Sequence, residues 1–161
     1  MHYALDAGGR LWALWHDQSQ SNVRTNVSYS DDGGDTWSPP RLTIGTSSSN
    51  VRGWKIITHP SNPNVLAIIG FSDNYFSQIS HNGFIASSQD RGGSWTTREV
   101  PEIYEGQSSR HFFDAIMLAS GRIVFSGPLN SGTVYWRVRY TDNYGQTVKR
   151  GGVRVPAVHN P

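Results

Sequence analysis

The chain holds 161 residues, 36% of them hydrophobic, enough for one sizeable core and a single domain over residues 1–161. A formal charge of +2, with 14 cationic side chains spread along the chain and no basic run, argues against a nucleic-acid partner. The absence of cysteine excludes a disulfide framework and a thiolate metal site, and the longest apolar run, Val65 to Ile69, is too short to enter and cross a membrane.

What remains favours strands. Aromatics are plentiful (6 Trp, 7 Tyr, 6 Phe), Gly, Ser, Asn and Thr fill much of the rest, and long Ala/Glu/Lys/Leu stretches are absent. Lys55 and Lys149 are the two lysines; the other cations are arginines, suited to fixed bidentate pairing with carboxylates. The opening "MHYALDAGGR" has neither a basic n-region nor an apolar h-region, so no signal peptide is visible. Localisation stays open, and a polar, cysteine-free, aromatic-rich β protein suits an extracellular or virion surface.

Taken in chain order, strands are predicted over Tyr3–Asp6, Arg10–His16, Val23–Ser30 and Thr36–Thr43. A second set covers Trp54–His59, Val65–Phe71, Phe84–Ser88 and Ser94–Val100, and a third covers Phe112–Leu118, Arg122–Ser126, Val134–Thr141 and Thr147–Val155. The turn clusters "DAGG", "HPSNPN" and "LASG" join the first and second strands of each set. Between the third and fourth strands stands a repeated turn. Ser30-Asp31-Asp32-Gly33-Gly34-Asp35-Thr36-Trp37 recurs as Ser88-Gln89-Asp90-Arg91-Gly92-Gly93-Ser94-Trp95, and more weakly as Thr141-Asp142-Asn143-Tyr144-Gly145-Gln146-Thr147-Val148, at offsets of 58 and 53 residues. A period near 50 means one supersecondary unit stacked three times, here over residues of about 1–46, 47–104 and 105–161.

In this turn Asp32 or Asp90 can accept backbone N–H bonds as Asx residues do. Gly34 and Gly92 can take φ > 0 without a Cβ clash, and Trp37 and Trp95 are expected to pack between neighbouring sheets. A calcium loop needs alternating oxygen ligands and a distal bidentate Glu, which this stretch lacks, so the reading is a structural hairpin.

The pattern Ser-x-Asp-x-Gly-x-[Ser/Thr]-Trp resembles the Asp box, or BNR repeat, of the sialidase-like β-propellers. Ser30, Asp32, Gly34, Thr36 and Trp37 match it in the first copy, and Ser88, Asp90, Gly92, Ser94 and Trp95 in the second. The third has Asn143 for the acid and Val148 for the tryptophan. The resemblance covers almost the whole chain. It implies an all-β fold of three four-stranded antiparallel blades, half or a fragment of a roughly six-bladed propeller. Propellers close with about four to eight blades, so a three-blade arc implies either a homo-oligomer, most simply a two-fold dimer, or a longer propeller.

Up-and-down blades put alternate turns on opposite faces. The loops "HDQSQSN", "SDNYFSQISHNG" and "GPLNSG" and the links "TIGTSSSNVR" and "PEIYEGQSSR" then share the face away from the Asp boxes, and function is expected there. Arg52 and Arg110 occupy equivalent positions, each at the entrance to an innermost strand, where two guanidiniums suit the carboxylate of a sialic or uronic acid. The competing reading has each arginine capping carbonyls or pairing with a local acid. Tyr75, Phe76 and Tyr104 can stack on sugar rings or fill the core, and Phe76 suits the core. The six histidines show no ligand spacing, and neither a metal nor another cofactor is expected.

The sialidases of the family hold the sugar carboxylate with three arginines and use a Tyr/Glu nucleophile pair with an Asp acid/base. Carried onto this chain, the resemblance offers Arg52 and Arg110, with Arg137 as the third arginine. It offers Tyr104 beside Glu102 and Glu105 as the Tyr–carboxylate pair, and Asp73 or Asp17 as the acid. The family's Arg-Ile-Pro signature is absent. Three readings follow: a non-catalytic propeller module binding a glycan or a protein in a surface or virion fibre, a sialidase-like exo-glycoside hydrolase complete only as an oligomer or longer chain, and an assembly scaffold.

Overall fold

The computed structural model describes residues 1–17, 23–44, 50–73, 82–100, 114–130 and 134–156. Among them lie twelve strands and no helix: β1 (His2–Leu5), β2 (Leu11–Asp17), β3 (Arg24–Ser30), β4 (Leu42–Ile44), β5 (Asn50–Thr58), β6 (Leu66–Asp73), β7 (Asn82–Ser88), β8 (Thr96–Glu99), β9 (Asp114–Met117), β10 (Ile123–Asn130), β11 (Val134–Thr141) and β12 (Lys149–Pro156). They form three four-stranded antiparallel meanders, β1-β2-β3-β4, β5-β6-β7-β8 and β9-β10-β11-β12. The first strands β1, β5 and β9 lie side by side and make the inner edge of the stack.

Strand boundaries differ from expectation where backbone chemistry intervenes. The fourth strand of the first sheet shrinks from Thr36–Thr43 to Leu42–Ile44. Its turn runs through Trp37, and Pro39 and Pro40 bring no N–H to the ladder. Single bonds survive on either side of that pair, from Ser38 N–H to the Tyr29 carbonyl (2.8 Å) and from Arg41 N–H to the Val27 carbonyl (2.7 Å). Strand β5 begins at Asn50, earlier than the expected Trp54, because its pairing with β6 runs on from Gly53↔Gly70 to Asn50↔Asp73; Val51 N–H also bonds the Val23 carbonyl at 2.8 Å. Arg52 is therefore inside β5. A bulge between Gly53 and Lys55 inserts Trp54 as an extra residue. The expected start of the ninth strand at Phe112 lies outside the described residues.

Period-2 alternation splits each sheet into a face toward the preceding sheet and a face toward the next. In β6, Leu66 and Ile68 join Trp12, Leu14, Val27, Ile44, Val51, Ile56, Phe84 and Ala86 in the core between the first and second sheets. Ala67 and Ile69, the alternate residues, join Ile57, Ile85, Val100, Ala115, Met117, Ile123 and Phe125 between the second and third. Both faces of β6 are thus buried, which is why it reads as an unbroken apolar run. Each fully buried Leu, Ile or Phe here contributes about 1.5–3 kcal/mol.

Candidate functional site

The three repeat turns share one bonding scheme. In the first, Asp32 Oδ1 accepts from Ser30 Oγ (2.6 Å) and from Thr36 N–H (2.9 Å), its Oδ2 accepts from the Thr36 hydroxyl, and Gly34 N–H donates to Ser30 Oγ (2.8 Å). The second repeats it with Asp90, Ser88, Ser94 and Gly92. The third repeats it with Asn143 Oδ1, which accepts from Thr141 Oγ1 (3.0 Å) and Thr147 N–H (2.9 Å), while Asn143 Nδ2 donates to Thr147 Oγ1 (3.0 Å). The amide reproduces the turn because it keeps one acceptor oxygen and turns the other contact into a donor.

The residue after this Asp or Asn is left-handed in all three: Gly33 (φ 74°), Arg91 (φ 55°) and Tyr144 (φ 53°). Glycine would be the low-strain choice there, and two side chains are present because both are used. Arg91 reaches back to Asp6 in the first turn of the preceding sheet (3.0 and 3.2 Å). Tyr144 packs against the core of the preceding junction. The Asp6–Arg91 contact places the first turns and the repeat turns at one end of the sheets.

Asp6 anchors that end. Its enclosed carboxylate accepts from Gly8 N–H (2.8 Å), Arg10 N–H (3.0 Å), the Trp12 indole (3.2 Å) and both Arg91 contacts. Burial by itself would raise its pKa; the Arg91 guanidinium and these N–H donors outweigh burial and hold it below the ordinary 3.8. His59 stands at the equivalent place in the second sheet, with Nδ1 accepting from Ser61 and Asn62 N–H and Nε2 against the Ala119 carbonyl at 3.1 Å. The sequence reading passed over Asp6, and the visible signal was its fixed place at the end of a first strand.

Two further pairs recur in register. Arg10 binds Asp31 (2.7 Å) and lies 3.6 Å from the Tyr29 ring centroid, while Arg122 binds Asp142 (2.6 Å) and lies 4.2 Å from that of Tyr140. The guanidinium in each pair draws its partner carboxyl below the usual range. Both arginines are thus held within their own blades by a carboxylate and an aromatic ring.

At the opposite end, cationic and imidazole groups gather on the inner strands. Arg52 lies in β5 beside Gly53, whose carbonyl is 2.8 Å from His16 Nε2 at the end of β2. Thr25 Oγ1 accepts from Gly53 N–H (2.7 Å) and donates to the Val51 carbonyl (2.8 Å), fixing this corner. Burial first, then the Arg52 and amino-terminal charges, push the His16 pKa below 6.5 against the pull of the Gly53 carbonyl. His2 is lowered as well, by burial, the amino terminus, Lys55 and His16. Lys55 itself is paired with Asp114 of β9.

Of the residues singled out from sequence, Arg52 and the repeat-turn residues are described. Asp73 ends β6 opposite Asn50, and its side chain, like that of Arg137, lies outside the description. Tyr75, Phe76, Glu102, Tyr104, Glu105 and Arg110 also lie outside it, and Asp17 ends β2. Trp37 departs from expectation. It is 41% exposed near Tyr3, with their rings 6.4 Å apart, whereas Trp95 packs against the first inter-sheet core. Among the described residues no group of three His, Cys, Asp or Glu is placed to hold a metal.

The turn bonding sets an acid limit. Asp32 is drawn well below the ordinary range by the Ser30 and Thr36 hydroxyls and the Thr36 N–H, and Asp90 to about 2 by the Ser94 hydroxyl and N–H and by Ser88. Folded pKa values below the unfolded ones mean that this stability is complete above about pH 4 and is lost as pH falls toward 2. The melting temperature should fall across that window. An Asp32→Asn/Asp90→Asn variant, copying the turn around Asn143, should show a flatter profile; an unchanged profile would mean that these carboxylates do not set the limit.

No family model and no curated protein matches the chain. Solved structures do. Trypanosoma rangeli sialidase in complex with the inhibitor DANA aligns over 94% of this chain at 18% identity with a TM-score of 0.62. The same enzyme in complex with 2,3-difluoro-KDN aligns over 95% at 18% identity and 0.62. A protein of unknown function from Dyadobacter fermentans aligns over 92% at 15% identity and 0.64, covering 39% of its own length. The chain spans 30% of the length of the sialidase chains. Its three sheets are therefore blades, and the chain has the fold of part of a sialidase-like β-propeller.

Proposed function

We propose that this chain is a section of an Asp-box propeller that binds an anionic glycan without cleaving it, on the face opposite the Asp boxes. The observation that carries the reading is that the described acids of the repeat-turn end are used up in their own contacts, while Arg52, His16 and His2 lie near one another at the other end. Asp32 and Asp90 are consumed within their turns, and Asp6, Asp31 and Asp142 within ion pairs. Arg52, His16 and His2 gather at the other end, where a guanidinium can fork onto a sugar carboxylate. Arg110, in the equivalent position of the next blade, would supply a second guanidinium, with Tyr75 and Tyr104 as stacking surfaces.

Losing a charge-assisted contact costs about 1.5–3 kcal/mol, so Arg52→Ala should weaken binding of a sialylated oligosaccharide more than about tenfold. Asp90→Asn should leave the affinity of the folded protein unchanged. Calorimetric titration reads both; unchanged affinity for Arg52→Ala, or loss of binding in the Asp90 variant at full stability, would put the site elsewhere.

The likeness to a sialidase crystallised with its inhibitor favours a second reading, a sialidase-like glycoside hydrolase acting on anionic sugars, complete only in a larger assembly or chain. Its acid would be Asp73 and its nucleophile pair Tyr104 with Glu105. Turnover of a fluorogenic sialoside separates hydrolysis from binding. A glycan array with no bound sugar would favour an assembly scaffold or a protein ligand.

A further inference from the structure

We propose that the hollow between the second and third blades, at the repeat-turn end, is a second binding site, which takes a single sugar acid of the hexuronate class with its carboxylate on Arg98. The site lies at the end of the blades away from the Arg52 corner and does not rest on the loop-face reading. Both of its walls belong to this chain.

The hollow exists because the middle blade lacks a filler that its neighbours carry. By strand pairing Tyr29, Ser87 and Tyr140 are equivalent, each on the forward face of its blade, the one turned to the next. In the first blade Tyr29 stands edge-on to Trp12 at 5.5 Å, Arg10 lies 3.6 Å from the Tyr29 centroid, and Asp31 holds Arg10. The third blade repeats this with Tyr140, Arg122 and Asp142. In the second, Ser87, Val65 and Gln89 stand in the places of the tyrosine, the arginine and the acid, and Ala67 in that of Trp12. What opens is a hollow of about 210 Å3. Gln89, Thr96 and Arg98 of the second blade line one side, and Asn143, Tyr144 and Gln146 of the third blade's turn line the other.

The charges around it select an anion. Arg98, exposed on β8 opposite Ile85, is the one charged side chain on these walls. Where the other repeats carry acids, the hollow has amides: Gln89 for Asp31 and Asp142, and Asn143 for Asp32 and Asp90. Asn143 Nδ2 spends one N–H on Thr147 and keeps a second, whereas an aspartate there would turn a negative charge to the hollow. The neighbouring acids are already held, Asp90 by Ser88 and Ser94, and Asp142 by Arg122 and Lys149.

Size and donor pattern narrow the ligand. The volume lies below the roughly 300–1,000 Å3 of sites for drug-sized ligands, and suits one sugar ring. A lone guanidinium fork matches one carboxylate, and would leave the second charge of a phosphate without a partner. The amides of Gln89 and Gln146 and the hydroxyl of Thr96 both donate and accept, as sugar hydroxyls do.

An NMR titration of the 161-residue chain with methyl galacturonide tests this. Methyl galactoside, which lacks the carboxylate, and acetate, which lacks the ring, serve as controls. Saturable shifts are expected in the Gln89, Asn143 and Gln146 side-chain amides with the uronide, and each control should bind more than about tenfold more weakly. Arg98→Ala, at an exposed strand position, should lose a similar factor. Ser87→Tyr, which restores the neighbours' filler, should abolish these shifts, and Arg52→Ala should leave them unchanged. The absence of saturable shifts at the three amides, a control that binds as well as the uronide, or full affinity in Arg98→Ala would each overturn the site. Shifts confined to the other end and lost in Arg52→Ala would overturn it too, while supporting the loop-face reading.

Discussion

Replacing Asp6 with alanine is expected to destabilise the fold by about 3–5 kcal/mol, the cost of breaking an enclosed ion pair from one side. The carboxylate has no exposed surface and gathers donors from Gly8, Arg10, Trp12 and Arg91, so its removal strands the indole N–H and part of a guanidinium at once. The effect spans two blades because Asp6 closes the first turn of one and Arg91 belongs to the repeat turn of the next. Urea unfolding of Asp6→Ala, Arg91→Ala and the double variant gives the coupling directly: the double variant should cost clearly less than the two single losses together. Additive losses, or an Asp6→Ala cost under about 0.5 kcal/mol, would show that this clamp carries no inter-blade energy.

Gly70→Ala is expected to cost at least about 3 kcal/mol and to reduce soluble yield. Gly70 pairs with Gly53 across β5 and β6, and an added Cβ would stand 2.2 Å from the Arg52 carbonyl, 2.6 Å from Phe84 and 2.8 Å from the Gly53 Cα. Two of these are backbone atoms of the inner strand and cannot rotate away. Relief requires β5 to shift, which would break the Thr25 bonds to Gly53 and Val51 and displace His16 and Arg52 together. Gly33→Ala is the contrast. Its position is left-handed, but space there is open, and Arg91 and Tyr144 occupy the equivalent conformation. Denaturation midpoints should separate the two variants widely; similar midpoints would mean that β5 can yield at Arg52.

The repeat turns were legible in the sequence because their chemistry is local. Within eight residues a Ser or Thr hydroxyl, an Asp or Asn oxygen, a left-handed residue and a second hydroxyl bond one another, and nothing distant is needed. The same holds for strand alternation, so all-β character and three blades could be read from residue order, down to a third turn in which Asn143 does the work of an acid. Even so, the pattern did not fix where strands end. Pro39 and Pro40 delay β4, and pairing with β6 that continues to Asn50↔Asp73 advances β5 past the expected start and takes Arg52 into the strand.

What only the tertiary structure decided depends on residues far apart in the chain. Asp6 and Arg91 are 85 positions apart, and either alone reads as a turn residue. Trp37 and Trp95 are identical in motif, yet one is exposed and the other packs on a core, because a blade's surroundings are set by its neighbours and not by its own sequence. His16 and Arg52 look unrelated in order, and the Gly53 backbone sets them side by side, with burial and charge lowering the imidazole pKa. Local bonding rules wrote the blades; stacking, which pairs one blade's forward face with the next one's backward face, decided which groups meet.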